Sequence, residues 1–489
     1  MTPLDYAVII GYLAVTILIG GWFGRGQTTL REFFLGDRNI PWWAAAFSGI
    51  ATIVSGASFL GGPGQAFKSD FTFLQYRLAA PFAAAVICIV LIPFFYRLDV
   101  YTAYEYLERR FDLKTRVMAS GLFLLLKALY LGMVIYAPSL VIAEMTGVSL
   151  PWVIIATGLL TTAYTMLGGM RAVIWTDTMQ LVVLLGSLVG ALLILIHRID
   201  GGAAGFLAQA SAHGKLRFFD FSLSLENEVT IWGGLFGGLV LTLGQYGVDQ
   251  AELQRFLTTS SIRKSRMAML SAMTCAAALG FLLFLVGAAL YVFYLQAPEK
   301  GGMAVNPDRV FPKFIIEELP AGMTGLVVAG VLAASMSTIS AVLNSLTTVT
   351  LSDIYARFGK RQPSLRGARW VTVAFGVACT GVALYAGKFG TILAATSKIS
   401  GFFGGTLVGV FLLGMLTRRA TGTGAFLGAL AAFAGVGYVS FATTISWMWY
   451  SLISAGLAFG LGWLFSLTSP TPAQEQLTGL TMYQQNAKL

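Results

Sequence analysis

Apolar residues run along this chain in long blocks separated by short polar stretches. Thirteen such blocks lie near residues 6–24, 40–66, 71–96, 115–146, 150–168, 172–197, 229–250, 265–296, 323–352, 368–387, 389–417, 421–441 and 446–467. Each is long enough to cross a bilayer, for which roughly 20 apolar residues suffice. The pattern predicts an all-α integral membrane protein of about 13 transmembrane helices. No window alternates in short segments as the strands of a transmembrane barrel do. The first block has Asp5 and no Lys or Arg before its apolar core, so it reads as a retained helix and not as a cleaved signal.

Two blocks are poor helices. Residues 47–65 of the second carry Ser55, Gly56, Ser58, Gly61, Gly62, Pro63 and Gly64. Glycine and proline weaken a helix interior, and a break at membrane depth must be buried in protein or line a cavity. A break here frees carbonyls around Ala51 to Val54; a plain helix packed through small residues is the other reading. The seventh block carries Gly233, Gly234, Gly237, Gly238, Gly244 and Gly247. Weakened helices at the start of blocks two to six and of blocks seven to eleven point to inverted repeats with a binding site between them.

The ninth block is the element around which the others are organised. Ala334, Ser337 and Thr338 follow the i, i+3, i+4 spacing and share one helix face. That face offers neutral oxygens of the kind a small hard cation takes, with a neighbouring unwound helix able to supply the rest. Ordinary helix contacts in membranes also use hydroxyls, and Ser or Thr can bond its own i−4 carbonyl. Both readings stand on this block alone.

Composition agrees with a membrane protein: 56% of residues are hydrophobic and 11% charged. The formal charge of +10 is explained by topology. With the N-terminus outside, Lys and Arg concentrate in the inner loops, among them Arg97, Arg109, Arg110, Lys114, Arg255, Arg263, Arg357, Arg366, Arg418 and Arg419, as cytoplasmic loops do. The C-terminus then lies in the cytoplasm, and the expected location is the plasma membrane. Basic residues spread over many short loops do not suggest nucleic-acid binding. Cys88, Cys275 and Cys379 all fall in apolar blocks and read as small buried hydrophobes. His197 and His213 are the only histidines, which argues against a His/Cys metal site or a Ser-His-Asp machine. No phosphate-cradling G-x-x-x-x-G-K-[ST] loop occurs, so an ion gradient is the natural driving force and no enzyme activity is expected.

A few charges lie inside the blocks. Arg77 sits about 9 Å in from the outer end of the third, and Lys127 about 18 Å from the inner end of the fourth, at 1.5 Å per residue; Lys398 is similarly deep. Such charges face a cavity or a partner, although Arg77 could also snorkel outward. Asp177, near the start of the sixth block, is either a helix cap or a carboxylate ligand for a cation. Residues 98–114 look like an amphipathic cytoplasmic helix with a solvated face, and the tail from Ser469 reads as mobile.

The chain resembles the sodium/solute symporter family. The matching stretches are Ala51-Thr-Ile-Val-Ser55, Tyr104-Glu-Tyr-Leu-Glu-Arg-Arg-Phe111, Ala172-Val-Ile-Trp-Thr-Asp177, Gln254-Arg255, Ser337-Thr338 and Ser352-Asp-Ile-Tyr355. They follow in order over nearly the whole chain. Met133-Val-Ile-Tyr-Ala-Pro138 and Tyr246-Gly-Val-Asp-Gln250 look most like the branch of monocarboxylate, iodide and multivitamin transporters, with sialic acid transporters as close relatives.

The resemblance implies a five-plus-five inverted-repeat core working by alternating access. It divides the chain into a peripheral first helix with a cytoplasmic loop (1–39), repeat one (40–197), an external loop (198–228), repeat two (229–417), two peripheral C-terminal helices (418–468) and a cytoplasmic tail (469–489). It implies a sodium site built from the carbonyls of Ala51, Val54 and Ala334 and the hydroxyls of Ser337 and Thr338. Some members bind a second sodium through positions matching Asp177, Ser337, Ser340 and the next residue, which is Ala341 here, so one ligand is missing. Substrate positions match Ser55, Ser58, Phe73, Arg77, Tyr130, Thr242, Gln245, Tyr246 and Lys398. In the sialic acid branch Arg77 is a glutamine and Tyr130 an arginine, so the basic group has changed helices. Arg77, Lys127 and Lys398 face a single clear intramembrane acid, Asp177. The expected substrate is therefore a small organic anion, above all a monocarboxylate, carried with sodium across the lipid bilayer by a protein for which a monomer suffices. A sugar or sialic acid is the alternative substrate, and a passive channel the alternative class.

Overall fold

The computed structural model describes residues 1–24, 29–359, 362–388 and 392–483, without the side chains of 167, 388 and 392–399. The described chain is almost entirely helical. Among the described residues, nine single helices are long and apolar enough to cross a membrane, and one bent pair, Trp42–Ile53 with Gly56–Lys68, makes a tenth. Shorter apolar helices cover Leu150–Met166 and Ser400–Leu416. The seventh block forms helix from residue 231 to 248 with two π-helical turns, Gly233–Gly237 and Gly244–Val248, around Gly238–Leu243. Every expected span therefore has a helical counterpart.

The ninth span, Met323–Val349, occupies the centre. All residues from Val327 to Val349 are buried, which is why hydroxyl-bearing residues are tolerated there: they face protein and not lipid. The fifth and sixth spans belong to one helical stretch, Leu150–Arg198, that turns at Gly169 with φ 50° and ψ −159°. That conformation is open essentially to glycine alone, and a Cβ there would lie 2.7 Å from the Phe33 carbonyl oxygen.

Three peripheral expectations are corrected. The amphipathic segment is docked and not solvated: in the Tyr104–Arg110 helix, Tyr104, Tyr106, Leu107 and Arg110 are buried. Arg110 donates to the carbonyls of Gly414 (2.9 Å), Thr417 (2.7 Å) and Ala420 (3.2 Å). It thus caps the last turn of the eleventh span, where unsatisfied carbonyls and the helix dipole favour a cation. The described part of the tail is also docked. Gln476 Nε2 donates to the Phe111 carbonyl (2.7 Å), Tyr106 Oη donates to the Leu480 carbonyl (3.1 Å), and Leu480 is buried. Met482 lines an apolar crevice together with Leu91, Leu243, Val248, Val408 and Phe411. Cys275 is exposed on its helix, whereas Cys88 and Cys379 are buried.

On the external side, Lys215 donates to the carbonyls of Phe67 (2.7 Å) and Ser69 (2.8 Å), closing the end of the Gly56–Lys68 helix. Burial holds its ammonium below the usual lysine range.

Deleting residues 470–489 is expected to cost about 2–4 kcal/mol, the sum of two hydrogen bonds and two partly or fully buried apolar side chains. Thermal unfolding of the full and shortened chains in one detergent checks this. Equal melting temperatures would mean that the docked tail contributes nothing.

Candidate functional site

The second span breaks where its glycines and serines predict. Trp42–Ile53 and Gly56–Lys68 meet at an angle of 55°. Val54, at φ −96° and ψ 85°, leaves the helical region. Ser55 begins the second half as its N-cap, its Oγ accepting from the Ser58 amide (3.3 Å). The residue after it must be small, because a Cβ on Gly56 would overlap Ser335 Oγ of the ninth span. The break is thereby pressed against the hydroxyl face of the central helix.

At this contact Ser337 Oγ donates to the carbonyls of Ala51 (2.9 Å) and Ala334 (3.1 Å). Thr338 Oγ1 reaches the carbonyls of Thr52 (3.2 Å) and Ala334 (3.1 Å). Ser337 is fully buried and Thr338 is 1% exposed. Ala51, Ala334, Ser337 and Thr338 thus come together as the sequence implied, with Val54 at the break itself. Thr52 is an addition: its carbonyl joins the cluster and its own hydroxyl is buried and makes no close hydrogen bond. Carbonyl and hydroxyl oxygens without a formal charge suit a monovalent hard cation. A hydroxyl can present lone pairs to the ion by turning its proton away.

Asp177 is not a helix cap. It lies inside the Leu150–Arg198 stretch, fully buried. Its Oδ2 accepts from Ser48 Oγ (2.6 Å) and faces Arg255 Nη2 (3.4 Å), while its Oδ1 makes no close hydrogen bond and has the Thr52 hydroxyl as its polar neighbour. Ser340, the other member of the second ion set, donates to the Ser337 carbonyl of its own helix (3.0 Å).

A cavity of about 140 Å³ opens beside the break. Ser55, Ser58, Phe73, Arg77, Tyr130, Gln245 and Tyr246 line it, as the sequence implied. Thr242 lines an adjoining crevice with Arg77, Gln245 and Tyr246, and its hydroxyl is taken by the Gly238 carbonyl (2.6 Å). The Lys398 side chain lies outside the described residues. Reasoning from sequence missed Tyr76, Asp249, Glu252, Phe403 and Trp447, which also line the cavity, while Lys127, expected to face a cavity or a partner, lines it as well. Phe73 stacks on Phe284 and leans on Trp447, with ring centroids 5.9 Å apart in both pairs.

The charge inventory differs from the expected one. Lys127 is not an unpaired cation: its Nζ lies 2.5 Å from Asp249 Oδ2. Glu252 pairs with Arg255 (3.1 Å). Asp249 falls at the end of the seventh apolar block and Glu252 just beyond it, and the chain turns there into the Gln250–Phe256 helix, every residue of which is buried. Asp177 is therefore not the single interior acid. Arg77 is different. Its Nη1 donates to the Ala276 carbonyl (3.1 Å), its guanidinium carbon lies 5.2 Å from the centre of the Tyr76 ring, and its Nε has no partner. Among the described residues no carboxylate lies within 4 Å of it.

Comparison with known proteins places these features. The model of the sodium:solute symporter family matches residues 33–432. The sodium/sialic acid symporter of Proteus mirabilis is 31% identical over 92% of this chain and 92% of its own. Human sodium-coupled monocarboxylate transporter 1 is 31% identical over 88% of this chain and 72% of its own. A solved sodium-coupled sialic acid symporter, substrate-bound and outward-open, superposes with a TM-score of 0.88 at 29% identity, covering 96% of this chain and 99% of that one. The architecture is the inverted-repeat transporter fold with broken helices.

Proposed function

Because the chain belongs to the sodium:solute symporter family, we propose that it imports a small organic anion, foremost a monocarboxylate, together with sodium, by alternating access. The observation that carries the substrate class is Arg77: a cation on the cavity wall with no carboxylate beside it and a nitrogen left over. An unpaired charge in a low-dielectric site is costly. A substrate carboxylate relieves that cost and can take two guanidinium hydrogen bonds at once. Ile53, Phe73, Leu126, Phe403 and Trp447 supply apolar wall around it, beside the polar groups of Ser55, Ser58, Tyr130 and Gln245.

Sodium takes the oxygens of Ala51, Val54, Ala334, Ser337 and Thr338, one helix layer from the Ser55 and Ser58 hydroxyls of the cavity. Because the break holds both, occupancy of one site sets the geometry of the other. A second sodium at Asp177, Ser337 and Ser340 is supported by the Asp177 Oδ1, which makes no close hydrogen bond, and by local charge. Arg255 is shared by two acids, Asp177 and Glu252, so one positive against two negative charges leaves one to be balanced. Ala341 contributes no hydroxyl to that site.

The reading includes the repeat boundaries at 40–197 and 229–417, a plasma-membrane location with the N-terminus outside, and a monomer as the working unit. Sialic acid is the second reading, favoured by the close superposition on a sialic acid symporter.

Replacing Arg77 with Gln tests the substrate class. Loss of hydrogen bonds to a charged group costs roughly 1.5–3 kcal/mol, so sodium-driven monocarboxylate uptake into proteoliposomes is expected to fall about 10- to 100-fold. Unchanged uptake and affinity would remove the anion from this cavity. Selective uptake of sialic acid over short carboxylates by the wild-type protein would establish the second reading.

A further inference from the structure

Two basic side chains on the cavity wall are treated differently by the fold. Arg77, from the third span, has no carboxylate partner among the described residues, whereas Lys127, from the fourth, is held by Asp249 at 2.5 Å. The acid is itself fixed. Asp249 is the N-cap of the Gln250–Phe256 helix, its Oδ1 accepting from the Ala251 amide (2.9 Å) while Oδ2 faces the ammonium. Its side chain is 5% exposed and that of Lys127 18%. A carboxylate that closes a buried helix start with one oxygen cannot swing away to free the lysine without leaving that amide unpaired. The next acid on the wall, Glu252, pairs with Arg255 (3.1 Å), which it shares with Asp177, and is a weaker electrostatic neighbour of Lys127 than Asp249 is.

We propose that Asp249 sets the charge of the transported anion: by neutralising Lys127 it leaves Arg77 as the cation open to substrate among the described residues, so that monoanions enter and dianions are refused. This rests on the anion reading above and holds equally for a monocarboxylate and for sialic acid, since each carries one negative charge. A second carboxylate on the substrate would find Lys127 already paired and would face Asp249 and Glu252 across the same cavity. Like charges brought together in a desolvated site repel strongly. Removing the charge of Asp249 alone converts Lys127 into a second anion-binding group.

The experiment compares propionate and malonate, which share three carbons and differ by one carboxylate. Competition against sodium-driven uptake is measured in proteoliposomes at a pH where malonate is a dianion. Wild-type protein is expected to be inhibited by propionate and not by malonate. Asp249→Asn is expected to bind malonate roughly tenfold or more tightly than the wild type does, a gain of one charge-assisted hydrogen bond. Asp249→Ser, which keeps an N-cap acceptor, carries the same expectation should the Asn variant fail to fold. Sodium-dependent thermal stabilisation reports folding for each variant. Neutralising both partners, in Lys127→Met with Asp249→Asn, is expected to refuse malonate again, because the released cation is gone.

Malonate binding that stays absent in folded Asp249→Asn and Asp249→Ser overturns the proposal. So does malonate binding that persists in the double variant, since Lys127 would then not be responsible. Failure of the wild type to recognise propionate, sialic acid or any other monoanion is a separate result and overturns the anion reading itself.

Discussion

Replacing both hydroxyls, in Ser337→Ala with Thr338→Ala, is expected to abolish sodium-dependent uptake while leaving the protein folded. Each hydroxyl reaches a carbonyl of the broken second span, Ala51 at 2.9 Å and Thr52 at 3.2 Å. Each also returns to Ala334 of its own helix at 3.1 Å. The pair therefore holds the break against the central helix and, in the sodium site proposed above, would provide two of the oxygens for the ion. Losing one buried polar partner costs about 1–3 kcal/mol, and two members of one cluster do not add simply. Sodium affinity is expected to fall by roughly 100-fold or more. Uptake at rising external sodium measures it. A variant that keeps wild-type sodium dependence would place the ion elsewhere.

Asp353→Ala is expected to have the largest effect on stability. Asp353 is fully buried at the inner end of the ninth span, in a π-helical turn over Thr350–Tyr355. It accepts from Thr102 Oγ1 (2.8 Å), Ser120 Oγ (2.7 Å) and Arg116 Nε (3.1 Å), and it is ion-paired with Arg116. Arg116 is 2% exposed and also reaches Glu108 at 2.6 Å. One carboxylate thus ties the central span to the fourth span and to the segment leading into the docked Tyr104–Arg110 helix. Removing one partner of a buried pair costs about 3–5 kcal/mol, because the other charge stays behind without its counter-ion. Asp353→Asn keeps acceptor geometry for Thr102 or Ser120 but not the charge, and should fall between. Thermal unfolding in detergent and the yield of folded protein decide it. A melting temperature within a degree of wild type would show that Arg116 is satisfied by Glu108 and Glu105 alone.

The sequence made some of this legible for a physical reason. Ser337 and Thr338 stand out because hydroxyls in a long apolar helix need a purpose, and i, i+3, i+4 spacing puts them on one face with Ala334. The break at Val54 and Ser55 is announced by glycines and a proline that a continuous helix does not want. Asp249 and Glu252 were hidden because hydrophobic runs end in the same way whether the chain leaves the membrane or turns back into protein. Only the Gln250–Phe256 helix, buried on all sides, reveals that both acids lie on the cavity wall. Arg110 was hidden likewise: amphipathic spacing marks a polar face without saying whether water or a neighbouring helix end meets it. The glycines of the seventh span announce irregularity but not its form, since π-helical turns and a full break have the same composition.

In the function proposed above, sodium and an organic anion bind on the two sides of one broken helix and therefore strengthen each other. Titrating propionate into purified protein at increasing sodium, with potassium holding ionic strength constant, tests it most directly. Anion affinity is expected to rise with sodium, and sodium affinity to rise by the same factor when the anion is present, as linkage demands. An anion affinity identical in sodium and in potassium would contradict it.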